Sequence, residues 1–113
     1  MSFSTHVLDA NRGCPAAAVP LVLRAAGTPG WQVLAEGVTD ADGRYRFSDQ
    51  GGTGQLPAGI YRVEFDTGSY LSASGQVGFY PEVSVTFEIT DPAAHHHVPL
   101  LLSPFAYSTY RGS

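Results

Sequence analysis

Charge is scarce in this chain. Only 14% of its 113 residues are Asp, Glu, Lys or Arg, where roughly a quarter is usual. With 43% apolar and 12% aromatic residues, this is the composition of a packed core and not of a disordered segment. So little charge also points to part of the surface being hidden in an oligomer. Basic residues are scarcer still, six against ten acidic ones, for a net charge of −4. No basic stripe is present, which argues against nucleic acid as a partner. Cysteine occurs once, at Cys14, so no internal disulfide can form and a reducing compartment suits the chain. Cys14 lies between Gly13 and Pro15 in an expected turn. No neighbouring base is there to activate its thiol, so neither a catalytic nor a metal role is read for it. No stretch approaches the roughly 20 apolar residues that span a bilayer, so no membrane is expected. Met1 to His6 has neither a basic head nor a long apolar run, and the chain does not close on a Ser-Lys-Leu address. The cytoplasm is the expected compartment.

What is present is period two almost throughout. At this length one domain, residues 1–113, is expected. Ala18 to Ala25 alternates, with Val19, Leu21 and Leu23 or their alternates inward. Trp31 to Val38 and Arg44 to Phe47 read as further strands. Gly59 to Asp66 sets Tyr61, Val63 and Phe65 against Arg62, Glu64 and Asp66. Val83 to Ile89 places four apolar residues on one face and three polar ones on the other. β-branched and aromatic types dominate these runs. Breakers separate them: Asn11-Arg12-Gly13, Gly27-Thr28-Pro29-Gly30, Asp40-Ala41-Asp42-Gly43, Gly51-Gly52-Thr53-Gly54 and Thr90-Asp91-Pro92. The pattern predicts an all-β sandwich or barrel, with one short helix somewhere in Ser69 to Gly78.

Reactive side chains gather near the end. On a strand from His95 to Leu102, Val98, Leu100 and Leu102 share a face with His96, and His95 and His97 project from the other. Three readings stand: an exposed strand face, a general acid–base pair, or two arms of a zinc site. The zinc reading lacks a third ligand at a recognisable spacing. His6, on a short strand near the N-terminus, reads by itself as a partly buried, hydrogen-bonded histidine. Arg44 and Arg46 share one strand face and read by themselves as solvated charges. No Gly-x-Ser-x-Gly elbow supports a serine nucleophile. The last residues, Tyr107 to Ser113, put two phenols, three hydroxyls and a guanidinium where chain ends are normally bland. Alternation sets Ser108 and Tyr110 on one face and Tyr107, Thr109 and Arg111 on the other.

These segments together resemble the transthyretin-like family, in its 5-hydroxyisourate hydrolase branch. The resemblance runs through Ser4-Thr5-His6-Val7-Leu8-Asp9, Gly13-x-Pro15-Ala16, Thr39 to Arg44, Gly59-x-Tyr61-x-Val63-x-Phe65 and Phe79-Tyr80-Pro81-Glu82-Val83. It ends on His95 to Pro104 and the closing Tyr110-Arg111-Gly112-Ser113. It implies an antiparallel eight-stranded β-sandwich with one short helix. It implies a homotetramer built as a dimer of dimers, with active sites between dimers. The implied small-molecule substrate is 5-hydroxyisourate, an intermediate of urate breakdown, with no cofactor and no metal. Carried over residue by residue, the resemblance assigns catalysis to His6, Arg44 and His97. It assigns substrate binding to His6, Arg44, His95, Tyr110 and Ser113. One departure is His96, where the family usually has tyrosine. Strand alternation turns that position to the apolar face, so the change is expected to touch packing more than chemistry. The competing readings are a transthyretin-like carrier of an apolar ligand and a structural β-sandwich.

Overall fold

A computed structural model describes residues 3–27, 29–47 and 56–113. Its strands are β1 (Phe3–Asp9), β2 (Cys14–Pro15), β3 (Pro20–Gly27), β4 (Gly30–Val38), β5 (Arg44–Arg46), β6 (Gly59–Phe65), β7 (Val83–Ile89), β8 (His96–Ser103) and β9 (Ala106–Thr109), with one helix, α1 (Thr67–Ala73). One sheet runs β4-β3-β6-β7. The other runs β2-β1-β8-β9, with β5 also on β1. The far edge of β1 is shared: β5 pairs with Ser4 to His6, and β2 pairs with Leu8 and Asp9.

The two sheets close on each other because each strand has one apolar row. Leu21, Leu23, Val63, Phe65, Val83 and Ile89 face Phe3, Val7, Leu100 and Leu102, all at most 2% exposed. Each such side chain contributes about 1.5–3 kcal/mol by leaving water. The inward rows expected for the strands from residues 59 and 95 are the buried ones here, and of the two rows open to the strand from residue 18 the buried one is Val19, Leu21 and Leu23. The result is a two-sheet β-sandwich with one short helix.

Three details differ from the sequence reading. The pairing is antiparallel except between β1 and β8, which run parallel. The chain enters β8 after crossing over from β7 in the opposite sheet, so no hairpin dictates its direction. A ninth strand appears because Cys14, expected in a turn, pairs with Asp9 in the two-residue β2. The helix begins at Thr67 and ends by Ala73, two residues before the expected start. Asp66 sets that start, its carboxylate accepting from the Ser69 amide at 3.0 Å, a standard cap. Gly75, at φ 75°, closes it. The expected turn at Gly51 to Gly54 and Thr28 of the turn before β4 lie outside the described residues. Among the described residues no helix is long and apolar enough to cross a membrane.

A buried carboxylate ties the helix to β1. Asp9 is 1% exposed. It accepts from the Tyr70 hydroxyl at 2.6 Å, the Gln76 amide at 3.0 Å and the Arg12 backbone N–H at 2.9 Å. Burial raises the Asp9 pKa, but those three donors together outweigh it and hold the carboxyl below its ordinary 3.8. Burial, then the bond to Asp9, pushes the Tyr70 phenol up to about 12. The depressed carboxyl contributes stability that is fully present above pH 3.8 and is lost as pH falls through the folded-state value. Asp9→Asn is expected to cost about 2–3 kcal/mol at pH 7. In chemical denaturation against pH, its deficit should shrink below pH 4.

Candidate active site

The parallel register of β1 on β8 sets the geometry of one outward sheet face. It places Ser4 opposite His97 and His6 opposite Pro99. The Thr5 hydroxyl, on the buried side, donates to the Val98 carbonyl at 2.6 Å and locks that register. The antiparallel partner β5 sets Arg46 opposite Ser4 and Arg44 opposite His6. Cross-strand partners share a face. Ser4, His6, Arg44, Arg46 and His97 therefore crowd onto one patch, with His95 just before β8.

The turn into β5 is built to deliver Arg44. One Asp40 carboxylate oxygen accepts from the backbone amides of Asp42 and Arg44, both at 2.9 Å. The Arg44 amide, more than any other group, holds the Asp40 carboxyl below its usual range. Gly43 follows at φ 77°, where a side chain is strained and a Cβ would run into the Val7 carbonyl.

The tail completes the patch. β9 pairs with β8 from Leu100 to Ser103, and the Thr109 hydroxyl donates to the Pro99 carbonyl at 2.7 Å. Beyond β9 the Gly112 amide donates to the His97 carbonyl at 2.9 Å. Gly112 lies flat against the His97 ring. A Cβ there would collide with the imidazole and crowd Pro99. The chain end is thus ordered on β8, with Ser113 at the mouth of a cavity.

That cavity has a volume of about 440 Å³ and is lined by Ser4, Thr5, Arg44, Arg46, His95, His97 and Ser113. It is in the size range of small-molecule sites, and its wall is polar and cationic. The His95 and His97 rings lie 6.4 Å apart between centroids and nearly parallel. Burial, followed by the charges of Arg44, His95 and His6, lowers the His97 pKa below its ordinary 6.5. His97 is therefore neutral at pH 7, with a lone pair to offer as a base. Among the described residues no cluster of three or more His, Cys, Asp or Glu could hold a metal ion.

Of the residues singled out from sequence, Arg44, His95, His97 and Ser113 line one cavity. His6 does not line it, yet it lies close enough for its charge to act on His97. Tyr110 does not line that cavity. It lines a neighbouring, mainly apolar cavity of about 280 Å³ together with His97, Val85, Phe87, Val98 and Arg111, so it stays beside one of the residues it was grouped with. Strand alternation stops at Thr109, where β9 ends, so it does not govern Tyr110. Ser4 and Arg46 were not singled out as site residues. Ser4 is a common residue with no motif, and only the parallel register reveals its place.

His96 lines the same apolar cavity. It is 5% exposed, and its Nδ1 has no partner among the described residues. A buried polar atom left unpaired costs about 1–3 kcal/mol. His96→Phe removes that nitrogen, and the cavity gives the larger ring room. The variant is expected to be more stable by about 1 kcal/mol, which thermal unfolding would register as a rise of about 4 °C.

Comparison with known proteins adds to this geometry. Residues 3–112 match the family described as HIUase/Transthyretin. The 5-hydroxyisourate hydrolase of Salmonella typhimurium is 43% identical over 112 residues, covering 97% of this chain and 79% of that one. The structure of Klebsiella pneumoniae 5-hydroxyisourate hydrolase superposes with a TM-score of 0.84 at 35% identity, over 100% of both chains. Sea bream transthyretin in complex with thyroxine superposes with a TM-score of 0.87 at 37% identity, over 99% of this chain and 95% of that one. Backbone likeness alone does not separate hydrolase from carrier. The side chains lining the cavity have to do so.

Proposed function

Because this chain belongs to the HIUase/transthyretin family, we propose that it acts as that family's hydrolase, opening the ring of 5-hydroxyisourate in urate degradation to give 2-oxo-4-hydroxy-4-carboxy-5-ureidoimidazoline. One observation carries the reading over the carrier alternative. The cavity on the outer sheet face is walled by Arg44, Arg46, His95, His97 and Ser113. An apolar hormone gains nothing from two guanidinium groups and two imidazoles, each of which would lose water on contact. A flat, polar, purine-derived ring gains several hydrogen bonds.

The reaction cleaves a cyclic amide. Neutral His97 takes a proton from water, and the resulting hydroxide adds to the ring carbonyl carbon. Arg44 keeps its charge at any working pH and offers a planar fork of donors. It stabilises the negative charge that develops on the carbonyl oxygen. The carbon–nitrogen bond then breaks, and the leaving ring nitrogen takes the proton that the imidazolium gives back. His95 and Ser113 hold the polar edge of the ring. His6 acts on the substrate from beside the cavity. Tyr110, which lines the adjoining cavity with His97, holds the flat ring from the other side.

In this reading the chain is one domain, residues 1–113, acting in the cytoplasm. It assembles as a homotetramer, a dimer of dimers, in which a second copy closes the open side of the cavity. Base and electrophile are both protein side chains, so the chemistry calls for no cofactor. The absorbance of freshly generated 5-hydroxyisourate, followed with and without the protein, tests the proposal. Decay well above the buffer rate is expected. Decay at the buffer rate, together with tight binding of thyroxine in calorimetry, would transfer the chain to the carriers.

A further inference from the structure

Ser4 sits on the outward face of β1 and is 8% exposed. Its Oγ lies 2.7 Å from His97 Nδ1 and 2.8 Å from His95 Nε2. The contact belongs to the sheet, since the parallel register sets Ser4 directly opposite His97. A hydroxyl has one proton to give and two lone pairs with which to accept. It cannot donate to both rings. It can accept from both, or accept from one and donate to the other; the second arrangement, which leaves no hydroxyl proton unused between the rings, makes the three groups a single directed chain.

The direction follows from the work of His97. A base needs a lone pair facing the cavity, and Nδ1 is engaged with Ser4, so that lone pair belongs to Nε2. Nδ1 then carries the hydrogen and donates to Ser4 Oγ, and Ser4 in turn donates to His95 Nε2. We propose that Ser4 is a positioning residue, whose hydroxyl sets the Nδ1–H tautomer of His97 and couples its imidazole to that of His95. When Nε2 accepts the water's proton, the Nδ1 proton can pass to Ser4 Oγ as the Ser4 proton passes to His95 Nε2. His97 is then neutral again and the positive charge rests on His95. The reverse transfer returns the proton for the leaving ring nitrogen. Proton count and charge balance at each step, and no other reactant is needed. The arrangement does for His97 what a buried acceptor does for the histidine of a serine hydrolase, with a neutral hydroxyl in the acceptor's place.

Both the direction of the chain and its kinetic effect rest on the hydrolase reading, while the dependence of the tautomer on Ser4 can be measured without it. The pair is faced by Arg44 and Arg46 from β5, His6 from β1 and Ser113 from the tail. Glu88 of β7 and Arg111 lie across the neighbouring cavity. All of these stay constant when only Ser4 is changed.

The test compares Ser4→Ala and Ser4→Thr with the wild type in two ways. Long-range proton–nitrogen NMR at pH 8 reads the tautomer of His97. The wild type and Ser4→Thr should carry the hydrogen on Nδ1, and Ser4→Ala should shift it substantially to Nε2. In turnover, Ser4→Ala should lose at least about tenfold in kcat with KM within about twofold, and Ser4→Thr should recover most of the loss. If Ser4→Ala does not fold, Ser4→Cys, with its weaker donor, takes its place in both measurements. An unchanged tautomer in the variant lacking the hydroxyl overturns the proposal, as does an unchanged kcat. A wild type without turnover but with the Ser4-dependent tautomer would sink the hydrolase reading and leave the coupling standing.

Discussion

Replacing His97 with asparagine should lower kcat/KM for 5-hydroxyisourate by about 10²- to 10⁴-fold, the usual worth of a general base. Asparagine keeps a polar group near the position of Nδ1 but has no titratable lone pair. The Ser4 contact can survive in part while the chemistry does not. The loss should fall mainly on kcat, because the base acts in the transition state. Arg44→Ala is the companion experiment, with an expected loss of about 10²- to 10³-fold from removing a donor to the developing oxyanion. It carries a second signature. Burial lowers the His97 pKa first and the Arg44 charge second. The acid limb of kcat/KM in the wild type, where His97 becomes protonated and stops acting as a base, therefore lies below 6.5. Removing the guanidinium takes away one of the lowering causes, so that limb should move up toward 6.5. A pH–rate profile of Arg44→Ala with an unmoved limb would detach Arg44 from His97.

Gly112→Ala should cost up to about 10²-fold in kcat with little change in stability. The tail beyond β9 buries few large side chains, so the fold does not depend on it. Gly112 nevertheless donates to the His97 carbonyl at 2.9 Å and leaves no room for a Cβ against the His97 ring. An added methyl group must push the imidazole or the tail aside. Displacements near 1 Å at a reacting centre cost on this scale. Deleting Tyr110 to Ser113 should be at least as damaging, because it also removes Ser113 from the cavity wall. Thermal unfolding separates the two possible effects. An inactive Gly112→Ala with a wild-type melting temperature fits a positioning role, and full activity would show that the tail can be moved freely.

The strands were legible because each needs only a local rule. Alternation in Val83 to Ile89 or Gly59 to Phe65 names the buried row before any neighbour is known. The opposed faces of His96 and His97 followed from the same rule. Gly43 and Asp40 marked the turn that delivers Arg44. What alternation could not supply was pairing between distant strands. The parallel run of β1 on β8 has no hairpin to announce it, so the Ser4 bridge between His95 and His97 was hidden in the chain. The nucleating cap at Asp66 moved the helix forward from the weak apolar signal after Ser69. The side on which Tyr110 approaches His97 was hidden for a related reason. Its face was read from a strand that ends one residue earlier, and the path of the tail is set by a single bridge from Gly112 to His97. The four residues named from sequence that line the cavity, Arg44, His95, His97 and Ser113, come from three separate segments. The resemblance joined them before geometry could.

The most direct measurement is the number of 5-hydroxyisourate molecules consumed per chain. With freshly generated substrate in large excess over protein, the account predicts many turnovers at a rate far above the uncatalysed decay. Consumption limited to one molecule or fewer per chain, or none beyond the buffer control, would mean that this cavity binds without reacting.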